Sequence, residues 1–110
     1  MEQILTIAYI NTVGQTGLSF AKQSQLESFI VKEKIDILNL HEIDINEESF
    51  SNCSVISSSF NIISNNSLSK YGTASIIKSD LSPQNIQFDG SGRIISFDLE
   101  NMSFLNVYLP

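Results

Sequence analysis

Ile35-Asp36-Ile37-Leu38-Asn39-Leu40-His41-Glu42 is a short apolar run that stops abruptly at an acid. From Ile35 to Leu40 it reads as a strand buried on both faces, because it is too short for a helix and rich in Ile and Leu. Working outward toward the N-terminus, Ile4-Leu5-Thr6-Ile7-Ala8-Tyr9-Ile10 has the same character and stops at Asn11. It too reads as a central buried strand. Between the two, Thr12 to Gly17 is a glycine-containing loop and Ser19 is a candidate helix cap. Phe20, Leu26, Phe29 and Ile30 then mark one apolar face of a helix from about Phe20 to Lys34. Strands joined by a crossover helix are parallel and usually adjacent. Asn11 and Glu42 are therefore expected side by side at one sheet edge. A carboxylate beside an amide at strand C-termini suits a hard metal ion.

Working outward in the other direction, Asn46 to Phe50 is expected to form a short helical turn. The serine-rich stretch from Ser49 to Ser69 carries the apolar pairs Val55-Ile56 and Ile62-Ile63, which suggest strands with polar outer faces, and Asn65-Asn66-Ser67 signals a turn. Tyr71 to Lys78 reads as a strand that Ser82-Pro83 interrupts. Asp89-Gly90-Ser91-Gly92 is a turn between a short strand near Ile86 and a longer one from Arg93 to Leu99. Glu100-Asn101 is a tight turn into a closing strand from Ser103 to Leu109. The chain is thus α/β: one β–α–β unit, then an antiparallel meander, with no internal repeat.

Composition narrows the function classes. The 110 residues suit one small domain, with 42% hydrophobic and 16% charged residues. No apolar stretch approaches the roughly 20 residues of a membrane span, and no signal peptide is visible, so an intracellular protein is expected. The single Cys53 excludes an internal disulfide and reads as a buried, inert thiol. A net charge of −6 argues against a general nucleic-acid clamp. It does not argue against a site that uses acids to hold cations, and acids concentrate between Asp36 and Glu48. The competing reading is a solvated acidic loop. There is no Gly-rich phosphate loop with Lys, no metal-spaced Cys/His cluster and no Gly-x-Ser-x-Gly elbow.

Five short motifs together resemble the endonuclease/exonuclease/phosphatase superfamily. They are Asn11-x-x-Gly14, Asp36 to Glu42, Tyr71-Gly72-Thr73-Ala74, Gly92-Arg93-Ile94-Ile95 and Asn106-Val107-Tyr108-Leu109-Pro110, in order and at fitting distances. The likeness is nearest to the endonuclease domains of non-LTR retrotransposons and to apurinic endonucleases. It implies a four-layer α/β sandwich, of which residues 1–110 would be the first half, truncated at the C-terminal end. It also implies Mg²⁺, or Mn²⁺, as cofactor and DNA as partner, with a nuclear location for a working retrotransposon product. By resemblance, Glu42 is the principal metal ligand, and Asn11 helps arrange metal and phosphate. Tyr108 contacts the scissile phosphate, Arg93 lies near the nucleic-acid backbone, and Gly14 and Gly72 are structural. Two positions depart from the family pattern: His41 stands where Gln is usual, and Val13 where Asn or Asp is common.

The family's second half would supply an Asp-x-Asn pair, a further acid and a terminal Asp-His pair. Without them, negligible nuclease activity is expected. An inner sheet face carrying Ile7, Ile37, Ile76, Ile95 and Val107 would also lie bare, favouring marginal stability, self-association or pairing with the missing half. Strand alternation puts the lone His41 on the side opposite Glu42. Two other readings remain: a non-enzymatic acidic interaction module, in which Asn11 and Glu42 are only strand ends, and a phosphatase or lipid phosphodiesterase of the same superfamily.

Overall fold

A computed structural model describes residues 4–16, 18–45, 50–65 and 71–108. The elements in chain order are β1 (Ile7–Thr16), α1 (Phe20–Lys32), β2 (Ile37–Asp44), α2 (Ser54–Ser59), β3 (Phe60–Asn65), β4 (Gly72–Lys78), a 3₁₀ turn (Ser79–Leu81), β5 (Gln84–Phe88), β6 (Ile94–Leu99) and β7 (Met102–Val107). β1 and β2 are parallel neighbours joined through α1, as the apolar runs imply. The Ser19 hydroxyl accepts a hydrogen bond from the Lys22 amide at 3.3 Å and starts the helix. Its end is a Schellman turn. Lys34 takes a left-handed φ of 52°, its N–H reaches the Val31 carbonyl at 3.3 Å, and the Ile35 N–H reaches the Ile30 carbonyl at 3.0 Å. Ile30 and Ile35 enter the same apolar cluster, so the turn aims the chain straight into β2.

The strands form two sheets, of order β1-β2-β4-β3 and β5-β6-β7. The switch between them is local. After β4, the 3₁₀ turn ends at Ser82 with φ 47°, followed by Pro83, which cannot donate to a ladder. The strand signal at Ser82-Pro83 thus marks where the chain leaves one sheet for the other. One core lies between α1, α2 and the first sheet, with Ile30, Leu38, Leu40, Ile56 and Ile76. A second lies between the two sheets, with Ile37, Ile63, Ile77, Ile95 and Phe97. The mixed α/β architecture of two face-to-face sheets with helices on one side is the expected fold class.

Several sequence expectations need correction. Among the described residues β1 is an edge strand, and it continues through residues 12–16 where a loop was expected. Its Tyr9 is 58% exposed. Val55-Ile56 belongs to α2, because Ile56 packs onto the helix-side core as one turn of helix. The helix face against the sheet is Gln23, Leu26 and Ile30, whereas Phe20 is 68% exposed and Phe29 is also exposed. The inner face is largely covered by the chain itself. Ile37 and Ile95 are sealed between the sheets, Ile76 faces the helices, and Val107 points the opposite way from the inward Phe104 and Asn106. Ile7 is the member of that set left open on the inner face, at 37% exposure. The helical turn expected at Asn46 to Phe50 lies outside the described residues except for Phe50, and the turn at Asn65-Asn66-Ser67 except for Asn65.

Cys53 is fully buried, and its thiol donates weakly to the Gln23 carbonyl at 3.4 Å. Burial, with the Glu27 charge adding to it, pushes the thiol above its ordinary pKa. An inert thiol is what results. The division of faces is checked by truncation. Ile37→Ala should cost about 2–5 kcal/mol in urea denaturation, and Ile7→Ala clearly less. Equal losses would show that β1 is as covered as β2.

Candidate active site

Glu42 is the geometric centre of the site, and its backbone is the reason. It sits inside β2 with a left-handed φ of 55°, and the register of β2 against β4 shifts between His41 and Ile43. This is a β-bulge. Leu38 and Leu40 face the helices, and so do Ile43 and Ile45 beyond the bulge. The one-residue change of phase puts His41 and Glu42 on the same face, toward the second sheet. The expectation that His41 points away from Glu42 fails for this reason, since simple alternation holds only for regular strands.

The neighbouring strand answers the bulge. β1 pairs Asn11 with His41, then resumes at Gln15 with Ile43. The Thr12 hydroxyl is shared between the His41 carbonyl at 3.0 Å and the Glu42 carbonyl at 2.8 Å. It gives both carbonyls at the bulge a side-chain donor from the neighbouring strand. Asn11 is exposed and lies on the Tyr9 side of β1, level with His41.

The second sheet brings the remaining groups. Just after β7, the Tyr108 hydroxyl donates a hydrogen bond to Glu42 Oε1. That bond to the carboxylate, with desolvation and the Glu42 charge added, raises the phenol pKa above its ordinary value, while the Arg93 charge opposes the rise. Arg93 is exposed, and its carbonyl accepts from the Tyr108 N–H at 2.9 Å. Its turn is anchored by Asp89, whose carboxylate accepts from the Ser91 hydroxyl and from the Ile94 and Arg93 amides. The Ser91 bond first, then those amides, lower the Asp89 pKa to about 2. Asn65 reaches across from β3 to the Asp89 and Ile94 carbonyls at 3.2 and 2.9 Å, and the buried Thr73 donates to the Gly92 carbonyl at 3.2 Å.

Beneath Glu42 runs a buried polar ladder. Ser75 donates to Asn39 Oδ1 at 2.7 Å. Asn106 Nδ2 donates to Ser75 Oγ at 3.0 Å and to the Ala74 carbonyl at 3.1 Å. Its Oδ1 lies 2.6 Å from His41 Nε2. A carbonyl only accepts, so the Ala74 contact fixes the amide orientation, and His41 Nε2 must be the donor. The imidazole sits between the Tyr9 and Tyr108 rings, with centroids at 6.0 and 5.5 Å.

Asn11, Glu42, Arg93 and Tyr108 thus gather at one end of the sandwich. Sequence reasoning gave no role to Thr12, Asn106 or the Asn39–Ser75 pair. A signal was available: Asn39, Ser75 and Asn106 each stand between two apolar neighbours within a strand, where burial demands a partner. Among the described residues, no group of three or more His, Cys, Asp or Glu side chains converges as a metal cage.

Similar architecture occurs in solved structures. An AP endonuclease from Archaeoglobus fulgidus superposes with a TM-score of 0.65 at 16% identity, over 97% of this chain and 42% of that one. The fold is that of the endonuclease/exonuclease/phosphatase class. A truncated TDP2 from Caenorhabditis elegans gives 0.53 at 13% identity, over 83% of this chain and 42% of that one. A longer form of the same TDP2 gives 0.52 at 14%, over 76% and 27%. The chain therefore spans less than half the length of these structures. No family model and no curated protein sequence matches it.

Two titrations test this geometry. Tyr108 should ionise above the ordinary value of about 10, and Glu42→Gln should bring its midpoint back down, read by tyrosinate absorbance. A raised folded pKa means the link stabilises fully below the unfolded pKa and is lost as pH rises through the folded value. Asp89 has the opposite sign. Its contribution is complete above the unfolded pKa of about 3.9 and disappears as pH falls to about 2. Asp89→Asn should flatten acid unfolding across that window, followed by circular dichroism.

Proposed function

We propose that this chain carries one wall of a phosphodiester-hydrolase site that acts on DNA, and that it descends from a retrotransposon endonuclease. The observation that carries the reading is Glu42, a carboxylate turned out of its strand by a bulge and met there by Tyr108. A carboxylate in a left-handed β-bulge needs a reason, since outliers of this kind cluster where geometry serves a site. The fold shared with an AP endonuclease and with TDP2 supports a phosphodiesterase ancestry.

The donor set suits Mg²⁺, or Mn²⁺ in its place. Mg²⁺ is commonly held by one or two carboxylates, substrate phosphate and several waters. Glu42 is the protein's carboxylate for it, with the Asn11 amide on the adjacent strand. When bound, the ion supplies charge neutralisation at the phosphate. Tyr108 keeps its proton on the hydroxyl, because ionisation beside Glu42 is disfavoured, and so acts as a donor. Arg93 offers a cation to the nucleic-acid backbone at the mouth of the site. His41, held through Nε2 by Asn106, serves as packing between two tyrosines. These residues include no second carboxylate beside Glu42 to activate water, so the chain by itself is read as inactive. A working product of such an element would act in the nucleus.

The test separates binding from turnover. Titration with Mg²⁺ or Mn²⁺ should shift the backbone amide resonances of His41 and Glu42, and Glu42→Ala should abolish the response. Nicking of supercoiled plasmid should stay at background in the same buffer. Robust nicking that Glu42→Ala removes would overturn the inactivity, and the absence of any metal response would overturn the site.

A further inference from the structure

His41 has a polar partner that a ring placed only to fill space would not need. The imidazole lies between Tyr9 and Tyr108, with centroids at 6.0 and 5.5 Å, and Nε2 lies 2.6 Å from Asn106 Oδ1 on the other sheet. Nε2 is the donor, because Asn106 Nδ2 is turned toward the Ala74 carbonyl. The bulge at Glu42 is what brings His41 to this side of β2.

Asn106 has no slack in its bonding. It is 1% exposed, and its Nδ2 donates to the Ala74 carbonyl at 3.1 Å and to Ser75 Oγ at 3.0 Å. Ser75 in turn donates to Asn39 Oδ1 at 2.7 Å. These bonds tie the amide to β4 and leave His41 as the described donor to its oxygen. A buried carbonyl that loses its donor bears the full desolvation penalty. The amide can recover hydration only by turning out toward solvent, and β7 must move with it.

Both ends of this bond adjoin the reactive pair. His41 precedes Glu42 on the same face. Tyr108 follows Asn106 by two residues, the spacing that keeps side chains on one side of an extended chain. His41–Asn106 and Glu42–Tyr108 are therefore successive cross-links between β2 and the end of β7. We propose that His41 is a positioning residue, whose Nε2–H bond to Asn106 holds the Tyr108 hydroxyl on the Glu42 carboxylate. The inference rests on the reading of Glu42 and Tyr108 as one wall of a metal–phosphate site, but it concerns their geometry, and its test needs no metal.

The full chain is labelled with ¹³C at the tyrosine Cζ, whose resonance reports the hydrogen bond of the hydroxyl, and Tyr108→Phe assigns the Tyr108 signal. Glu42→Ala removes the acceptor, and the displacement it causes sets the scale. His41→Phe keeps a ring between the two tyrosines but removes the donor, and it should reproduce most of that displacement. His41→Gln carries an Nε2–H the same number of bonds from the backbone, and it should restore the wild-type resonance although the ring is gone. The Ile37 and Ile77 methyl resonances should hold their positions in both variants, showing the core between the sheets intact. If His41→Phe alone loses them, the smaller His41→Leu takes its place under the same criteria. A wild-type Tyr108 resonance in the donor-less variant, or no recovery in His41→Gln, overturns the proposal. So does a Tyr108 resonance that Glu42→Ala leaves unmoved. The expected shifts in a chain that shows no response to Mg²⁺ support the positioning role and overturn the metal reading alone.

Discussion

The left-handed backbone at Glu42 is the constraint on which the rest of the site depends. A non-glycine residue in that region costs roughly 1–2 kcal/mol, so the surrounding structure must hold it there. Two groups do so. The Thr12 hydroxyl caps the carbonyls of His41 and Glu42 from β1, and the Tyr108 hydroxyl binds the carboxylate from the second sheet. Each belongs to a different layer or strand. The bulge therefore joins β1, β2 and the end of β7 at one point, and a change in any of them reaches Glu42.

The polar ladder below it has a different consequence. Asn39, Ser75 and Asn106 are buried, and each buried polar group is expensive unless paired. Among the described residues no buried side-chain nitrogen or oxygen lacks a partner. An apolar interface between two sheets is tolerant of sliding, because dispersion contacts are nearly interchangeable. Directional hydrogen bonds from Asn106 to Ala74, Ser75 and His41 admit one registration of β7 over β4 and β2. That registration is what delivers Tyr108 to Glu42. Stability comes mainly from the two apolar cores, and positional accuracy from the ladder.

Much of this was legible residue by residue. The apolar runs before Asn11 and Glu42, the cap at Ser19, the tight turn at Glu100-Asn101 and the break at Ser82-Pro83 are local signals, and each corresponds to an element or a boundary. Val55-Ile56 misled because a short apolar pair has no period long enough to separate strand from helix. Ile76 and Val107 were assigned to the wrong face because parity depends on where a strand starts and on any bulge within it. His41 failed for the second of these reasons.

The sequence by itself determined the β–α–β opening, the chain order of the antiparallel strands and the residue types available for a metal–phosphate site, because these follow from short-range periodicity, capping and turn chemistry. Only the tertiary structure decided that the meander leaves the first sheet to cover it, that β1 stays half open, and that His41 and Glu42 share a face. Those outcomes rest on contacts between residues far apart in the chain, such as Thr12 with Glu42 and Glu42 with Tyr108. No local pattern encodes a partner at that distance.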